Sequence, residues 1–321
     1  MTPLTAILAA EITASGPIPF RRFMEVALYH PRHGYYRSGR DPFGKGGDFF
    51  TAAQLQPVFG ILVASWLESL RAELGWPGEF TVVELGAGRS EMADALAAFR
   101  YIPVEAGYGR LPERFTGAVF ANEFFDALPV DLLAARGGTW FEMRVGWNGE
   151  KFFLMEGGRA APPQLDYARR YAPSCEDGVL MEVNLEALVW LDRIAASLER
   201  GWVAVIDYGY TARELLRFPQ GTLMSYHRHA ASQDVLASPG ERDITAHVNF
   251  TALMDRAAEL GLSCVGLQSL ARTLLEVGER DQFAAALQAP DGAERARRAL
   301  QLKTLLFGMG ETFRTLLLAK Q

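Results

Sequence analysis

The sequence predicts an α/β protein built on a Rossmann-like sheet, and three observations point there. From Phe80 onward, short apolar runs alternate with segments of helical period, the pattern of a parallel sheet with crossovers. The first of these runs ends in Glu84-Leu85-Gly86-Ala87-Gly88, a glycine turn that lets backbone approach a ligand at the carboxyl edge of such a sheet. The next run closes on Glu105, at the spacing of about twenty residues where an acid can accept from both ribose hydroxyls.

Composition narrows the function classes. With 321 residues, 49% of them hydrophobic, the chain can bury a large core and is not disordered. Lysine and arginine number 32 against 38 acids, a net charge of -6, so no general footprint for nucleic acid exists and a cationic or neutral partner suits it better. Two cysteines, Cys175 and Cys264, are too few for a disulfide framework or a thiolate metal site. The apolar start is short and lacks a basic flank, so neither a signal peptide nor a membrane span is expected, and the location read from this is cytoplasmic. His227, His229 and His247 lack the acids or thiolates that would complete a metal shell. No Gly-x-Ser-x-Gly elbow for a hydrolase occurs.

Element by element, two helices at Leu4 to Thr13 and Phe20 to His30 flank the breaker run Ser15 to Pro19. An aromatic loop, His33-Gly34-Tyr35-Tyr36, and an amphipathic helix from Gln56 to Leu74 follow. Residues 1–78 thus read as a helical, aromatic N-terminal cap, and 79–321 as the Rossmann-like domain. Within it, strands are expected at Thr81 to Leu85, Tyr101 to Glu105, Ala118 to Ala121, Leu180 to Val183 and Trp202 to Asp207, with crossover helices at Glu91 to Arg100 and Leu185 to Leu198. Asn148-Gly149 between Trp140 to Val145 and Lys151 to Met155 signals a β-hairpin, inserted at about 136–178. A helix at Phe250 to Leu260, a strand at Ser263 to Leu267, helical pattern to Phe307 and a last strand at Thr312 to Leu318 complete the chain.

The charge around the glycine turn separates two cofactor classes. A dinucleotide site puts a pyrophosphate at the helix N-terminus and wants a third glycine where this chain has Glu91. Glu84 and Glu91 would repel phosphate, whereas they attract the ammonium and sulfonium of S-adenosylmethionine. A nicotinamide oxidoreductase is therefore disfavoured. The bland alternatives are an ordinary tight turn at Gly86 and Gly88 and a solvated strand end at Glu105. After the third strand, Asn122, Glu123 and Asp126 stand at the same sheet edge, where polar groups can orient a nucleophile or take its proton. A carboxylate pair also grips a guanidinium bidentately; otherwise Asp126 caps a helix and Asn122 closes a turn. Tyr208 and Tyr210 would border that cleft or pack beneath the cap. His247 either contacts acceptor or cofactor or is a hydrogen-bonded core residue.

Taken together these residues resemble the MidA-type family of class I methyltransferases, which includes the mitochondrial complex I assembly protein arginine methyltransferase. The resemblance runs through Tyr29-His30-Pro31, Gly34-Tyr35-Tyr36, the loop from Asp41 to Phe49 with Thr51-Ala52, and Glu84 to Arg89. It continues through Ala121 to Pro129, Asp207 to Tyr210, Gly221-Thr222-Leu223, His229, Pro239-Gly240 and Asp243 to Val248. It implies that Gly47, Asp48 and Phe49 line the cofactor pocket with Gly86 and Gly88, and that Glu105 holds the ribose. It implies S-adenosylmethionine as cofactor and a protein arginine, on a complex I subunit, as acceptor. Three departures stand out: Ser90 replaces a third glycine, Ala53-Gln54 stands where Pro-Glu is common, and between Glu105 and Gly117 the chain is too short for the helix and strand found there in the family. A non-catalytic assembly or scaffold protein on the same fold is the reading from a different class.

Overall fold

Most of the apolar runs after Phe80 pair into one largely parallel sheet. The computed structural model describes residues 2–37, 51–105, 109–172 and 174–321. These fall into two units, one from the described residues of Met1–Phe50, Asp126–Val189 and Tyr210–Leu253, the other from Thr51–Phe125, Trp190–Gly209 and Met254–Gln321.

In the second unit the strands lie in the spatial order Ser263–Ser269, Phe313–Lys320, Leu198–Tyr210, Phe115–Asn122, Thr81–Leu85, Arg100–Val104. The last four named are parallel to one another, and Phe313–Lys320 runs antiparallel to both of its neighbours. Residues of one parity, Val82, Ala118, Phe120, Trp202, Ala204 and Ile206, share a buried cluster with Phe59, Leu62, Val63, Trp66 and Leu67 of helix Val58–Glu73 and with Leu270 and Leu274 of helix Leu270–Gly278. Period-two side chains thus meet two helical stripes, each large apolar residue contributing about 1.5–3 kcal/mol. Arg100–Val104 is the edge strand, and Pro103 sits on it, the kind of position a sheet can give to a residue without an amide hydrogen. No strand forms among the described residues between Val104 and Phe115, as the short interval after Glu105 requires.

Two expectations are corrected. From Glu91 the chain makes consecutive turns, closed by bonds such as Ala93 N to Ser90 O at 2.9 Å and Phe99 N to Leu96 O at 3.0 Å, in place of a helix. Met92 and Leu96 are fully buried as the period suggested. Ser90, at φ 61°, leaves the right-handed path where a helix would start, and the next strand already begins at Arg100. Leu180–Val183 is also not a strand of the parallel sheet; it pairs antiparallel with Asp131–Arg136 in a separate sheet.

That sheet organises the first unit. Asp131–Arg136 lies between Leu180–Val183 and Thr139–Trp147, and Thr139–Trp147 also pairs with Ile18–Pro19 and Phe152–Arg159. The Asn-Gly hairpin is real: Asn148 Oδ1 accepts from Glu150 N and Lys151 N at 3.0 and 2.8 Å, and Gly149 has φ 95°. Its first strand, Thr139–Trp147, carries it into a larger sheet, in which Phe152–Arg159 pairs with that strand alone among the described residues. Val130, Leu132 and Val145 pack with Leu4, Leu8, Phe20, Phe23 and Met24 of helices Pro3–Ser15 and Phe20–Tyr29. Leu133, Ala135, Trp140, Met181 and Val183 pack with Tyr167 and Tyr171 of helix Pro162–Tyr171. Burial on both faces explains the absence of apolar–polar alternation from Leu132 to Ala135. A small antiparallel sheet, Met224–His227 between Ala230–Ser232 and Asp243–Thr245, belongs to the same unit. Among the described residues no helix is long and apolar enough to cross a membrane.

The parallel sheet is tightest where Thr81, Gly117 and Gly201 are in register. A Cβ on Gly117 would stand 1.9 Å from Thr81 O, and one on Gly201 1.8 Å from Gly117 O. Gly117→Val is therefore expected to lower unfolding free energy by about 1–3 kcal/mol or more, read by urea denaturation. Gly158→Ala, where a Cβ meets nothing within 4 Å, should leave the midpoint unchanged.

Candidate active site

The strand order reverses between Thr81–Leu85 and Phe115–Asn122, and the crevice beyond the carboxyl ends of two such strands is where open α/β sheets bind ligands. Gly86 and Gly88 lie there at φ 69° and 52°, backbone that side-chain-bearing residues avoid. A Cβ on Gly86 would come to 3.1 Å from Phe124 Cδ2. The turn is fixed to the end of the neighbouring strand: Gly86 N and Ala87 N donate to Val104 O at 2.9 and 3.3 Å, and Gly88 N donates to Glu105 Oε2 at 2.9 Å. The glycine turn and Glu105 thus come together.

Glu84 is 4% exposed, and Tyr101 Oη donates to its Oε2. Burial lifts its carboxyl to about 7; the Tyr101 bond opposes this, and the charges of Glu91 and Glu105 add to it. Glu91 accepts from Arg89 N at 3.1 Å and pairs with Arg89 Nε at 3.0 Å. Its charge is thus partly offset, and the selection of a cation rests more on Glu84 and Glu105 than on Glu91. Tyr101 was not singled out in the sequence, although parity puts it on the face of Val82 and Glu84, since Val82 pairs with Tyr101.

Leu85 pairs with Ala121, so Asn122 follows beside Gly86. Asn122 is 8% exposed; its Nδ2 donates to Glu123 Oε1 at 3.1 Å, and its buried Oδ1 accepts no hydrogen bond among the described residues. Glu123 adopts φ 53°, a conformation costing about 1–3 kcal/mol and concentrated at functional sites. It is held there by Glu123 N to Ile206 O at 2.9 Å and by Ala52 N to its Oε1 at 3.0 Å. Phe125 N donates to Asp207 Oδ2 at 3.1 Å, and Phe124 packs at right angles to Trp190, centroids 5.1 Å apart.

These features fit S-adenosylmethionine. Two glycines give the donor's methionine end room, and Asn122 Oδ1 is a buried acceptor suited to an ammonium. Glu105 can take ribose hydroxyls, and the acids admit a cation. Gly47, Asp48 and Phe49 lie outside the described residues.

Asp126 and His247 belong to the first unit. Asp126 is 5% exposed, and its backbone carbonyl accepts from Ala246 N at 2.9 Å, which ties it to the end of the Asp243–Thr245 strand. Asp243 is 2% exposed and takes Tyr36 Oη at 2.8 Å. Burial, then Asp243, Tyr29 and Asp126, hold the Tyr36 phenol well above its ordinary value; burial, Asp126 and Asp243 do the same to Tyr226. Two carboxylates therefore act on the same two phenols. Tyr29 Oη donates to Ala127 O at 2.9 Å and its ring stacks on Tyr36 at 5.6 Å. Asp243, Tyr36 and Tyr226 escaped the sequence reading as site residues because they come from segments far apart in the chain. His247 N donates to Thr222 Oγ1 at 3.0 Å, its ring meets Phe218 edge to face, and burial lowers its proton affinity, so it is neutral near pH 7. Tyr210 is 2% exposed and Tyr208 packs on Phe313, which makes both packing residues. Among the described residues no group of three or more His, Cys, Asp or Glu is arranged to hold a metal.

Comparison with known proteins points to the same cofactor. A crystal structure from Burkholderia thailandensis with bound S-adenosyl-homocysteine superposes with TM-score 0.87 at 31% identity, covering 99% of this chain and 92% of that one. A protein arginine methyltransferase NDUFAF7 homolog, mitochondrial, of Drosophila melanogaster is 27% identical over 96% of this chain and 83% of its own length. The corresponding Danio rerio protein is 25% identical over 90% of this chain and 80% of its own.

Glu84 gives donor binding a pH signature. Its folded value, about 7, lies above the ordinary 4.5, so the stability it confers is full below about pH 4.5 and is lost as pH rises through about 7. A bound cation favours the ionised carboxylate. Affinity for S-adenosylmethionine is expected to rise between about pH 6 and 8, with proton release seen as a buffer-dependent calorimetric heat. Glu84→Gln should flatten that profile, and a flat wild-type profile would exclude Glu84 as the titrating group. The family model of S-adenosyl-L-methionine-dependent methyltransferases matches residues 100–268, more than half of the sequence, and the chain belongs to that family.

Proposed function

We propose that this methyltransferase acts on a protein arginine. The observation that carries the reading is the cluster of Asp126 and Asp243 with Tyr36 and Tyr226: buried carboxylates suit a guanidinium's fork of donors, and phenol rings suit its flat cationic face. The relatives named protein arginine methyltransferases support it, and the resemblance drawn from the sequence extends the acceptor to an arginine of a complex I subunit.

S-Adenosylmethionine, when bound, supplies an electrophilic methyl; a guanidine nitrogen forms the new N–C bond as the S–C bond breaks, and S-adenosylhomocysteine leaves. In-line displacement asks for alignment above all. The chain's part is to orient the guanidinium through Asp126 and Asp243 and to receive the proton that the nitrogen gives up. Asn122 and Glu123, fixed to Ala52 and Ile206, are a rigid polar edge and not a mobile base. His247, neutral near pH 7, is a further group able to take a proton.

Incubation with methyl-labelled donor and complex I subunits, followed by mass spectrometry, should yield methylated arginine; label on lysine or on no protein would end the reading. Asp243→Asn is expected to lower kcat/KM for the arginine acceptor by about 10- to 150-fold, the worth of one hydrogen bond to a charged group, with S-adenosylhomocysteine affinity unchanged by calorimetry.

A further inference from the structure

The strand Leu180–Val183 lies at the end of its sheet, and the segment 218–223 begins a parallel ladder on it: Leu180 bridges Gln220, and Leu180 N donates to Pro219 O at 2.9 Å. The ladder stops after that bridge, where Gly221 turns at φ 76°, a conformation open to glycine. From there Glu182 holds the segment with its side chain. Its Oε1 accepts from Thr222 N at 2.6 Å and from Leu223 N at 3.1 Å. A Cβ on Gly221 would run into that same oxygen, so only glycine lets the segment come so near.

Glu182 is 3% exposed and Thr222 7%. A carboxylate this deep is costly unless it is paired and hydrogen-bonded, and among the described residues no cation pairs with it. Burial lifts its carboxyl above the ordinary value, and the bonds to Thr222 and Leu223 oppose this. What the group achieves is seen at the next contact. Thr222 Oγ1 accepts from His247 N at 3.0 Å, and Phe218, at the other end of the same segment, meets the His247 ring edge to face at 5.4 Å. Ala246, beside His247, donates its N–H to Asp126 O at 2.9 Å. Glu182, the segment 218–223, His247 and Asp126 thus form one connected series within the first unit. Burial alone lowers the proton affinity of His247, so Glu182 acts on it through the segment and not through its charge.

We infer that Glu182 is a positioning residue for methyl transfer: by holding Thr222 it fixes His247 and, through Ala246, the backbone of Asp126. The inference rests on the reading of Asp126 and His247 as acceptor-site groups and adds what sets their place. Because the carboxylate works as an acceptor of two amide hydrogens, an uncharged side chain with an oxygen at the same point serves as well.

The test uses the full chain with Glu182→Ala, Glu182→Gln, Thr222→Val and the double variant Glu182→Ala with Thr222→Val. Hydrogen exchange read by mass spectrometry follows the connection without an acceptor: in Glu182→Ala, peptides spanning 221–223 and 246–247 are expected to exchange about 10- to 150-fold faster, the worth of a hydrogen bond to a charged group. With methyl-labelled donor and complex I subunits, kcat/KM should fall by a similar factor in Glu182→Ala and Thr222→Val and recover to within about threefold of wild type in Glu182→Gln. The double variant should fall no further than the worse single one, since both changes act along one path. S-Adenosylhomocysteine affinity stays at the wild-type value in all four. Thermal melts report whether each variant is folded, and if Glu182→Ala is not, Thr222→Val decides by losing rate and Glu182→Gln by keeping it. Unchanged exchange at 246–247 or full rate in a folded Glu182→Ala, additive losses in the double variant, or a Glu182→Gln as slow as Glu182→Ala overturns the positioning role and leaves the acceptor reading intact. A wild-type chain that methylates no arginine overturns both.

Discussion

The parallel register of Thr81–Leu85 with Phe115–Asn122 is the constraint on which the donor site depends. It brings the end of one strand, which turns on glycine, beside the end of the other, which leaves through a left-handed glutamate. Each end is then fixed by hydrogen bonds to a third element: the glycine turn to Val104 and Glu105, the glutamate to Ile206 and Ala52. Preorganisation of this kind costs backbone strain at Glu123, which persists because several contacts impose it at once. The close backbone approach at Gly117 and Gly201 leaves this register no room to slip.

Electrostatics differs between the two units. In the second, Glu84 is buried at the end of its strand, and burial with the charges of Glu91 and Glu105 lifts its carboxyl. In the first, Asp126 and Asp243 lie under tyrosines, where desolvation makes each interaction stronger than in water and each uncompensated charge costlier.

Much of this was legible in the sequence, and the parts that were not have physical reasons. Period-two apolar runs revealed the parallel strands, and glycine spacing revealed the turn that meets Glu105, because both signals are local. Leu180–Val183 was misplaced because a short strand with buried side chains looks alike in a parallel sheet and at the end of an antiparallel one. The turns after Ser90 were read as helix because burial of Met92 and Leu96 follows the same spacing in either form. Asp243 and Tyr36 could not be found by spacing at all. Their neighbours are distant in sequence, and only tertiary pairing, such as Ala246 N to Asp126 O, reveals them.

The edge strand Arg100–Val104 has one more consequence. Pro103 offers no amide hydrogen there, so the edge is a poor template for another chain's strand. The sheet can end at that place without inviting aggregation. Loss or gain of a strand in this interval changes the sheet's width on its outer side only, where no other strand takes its register from it.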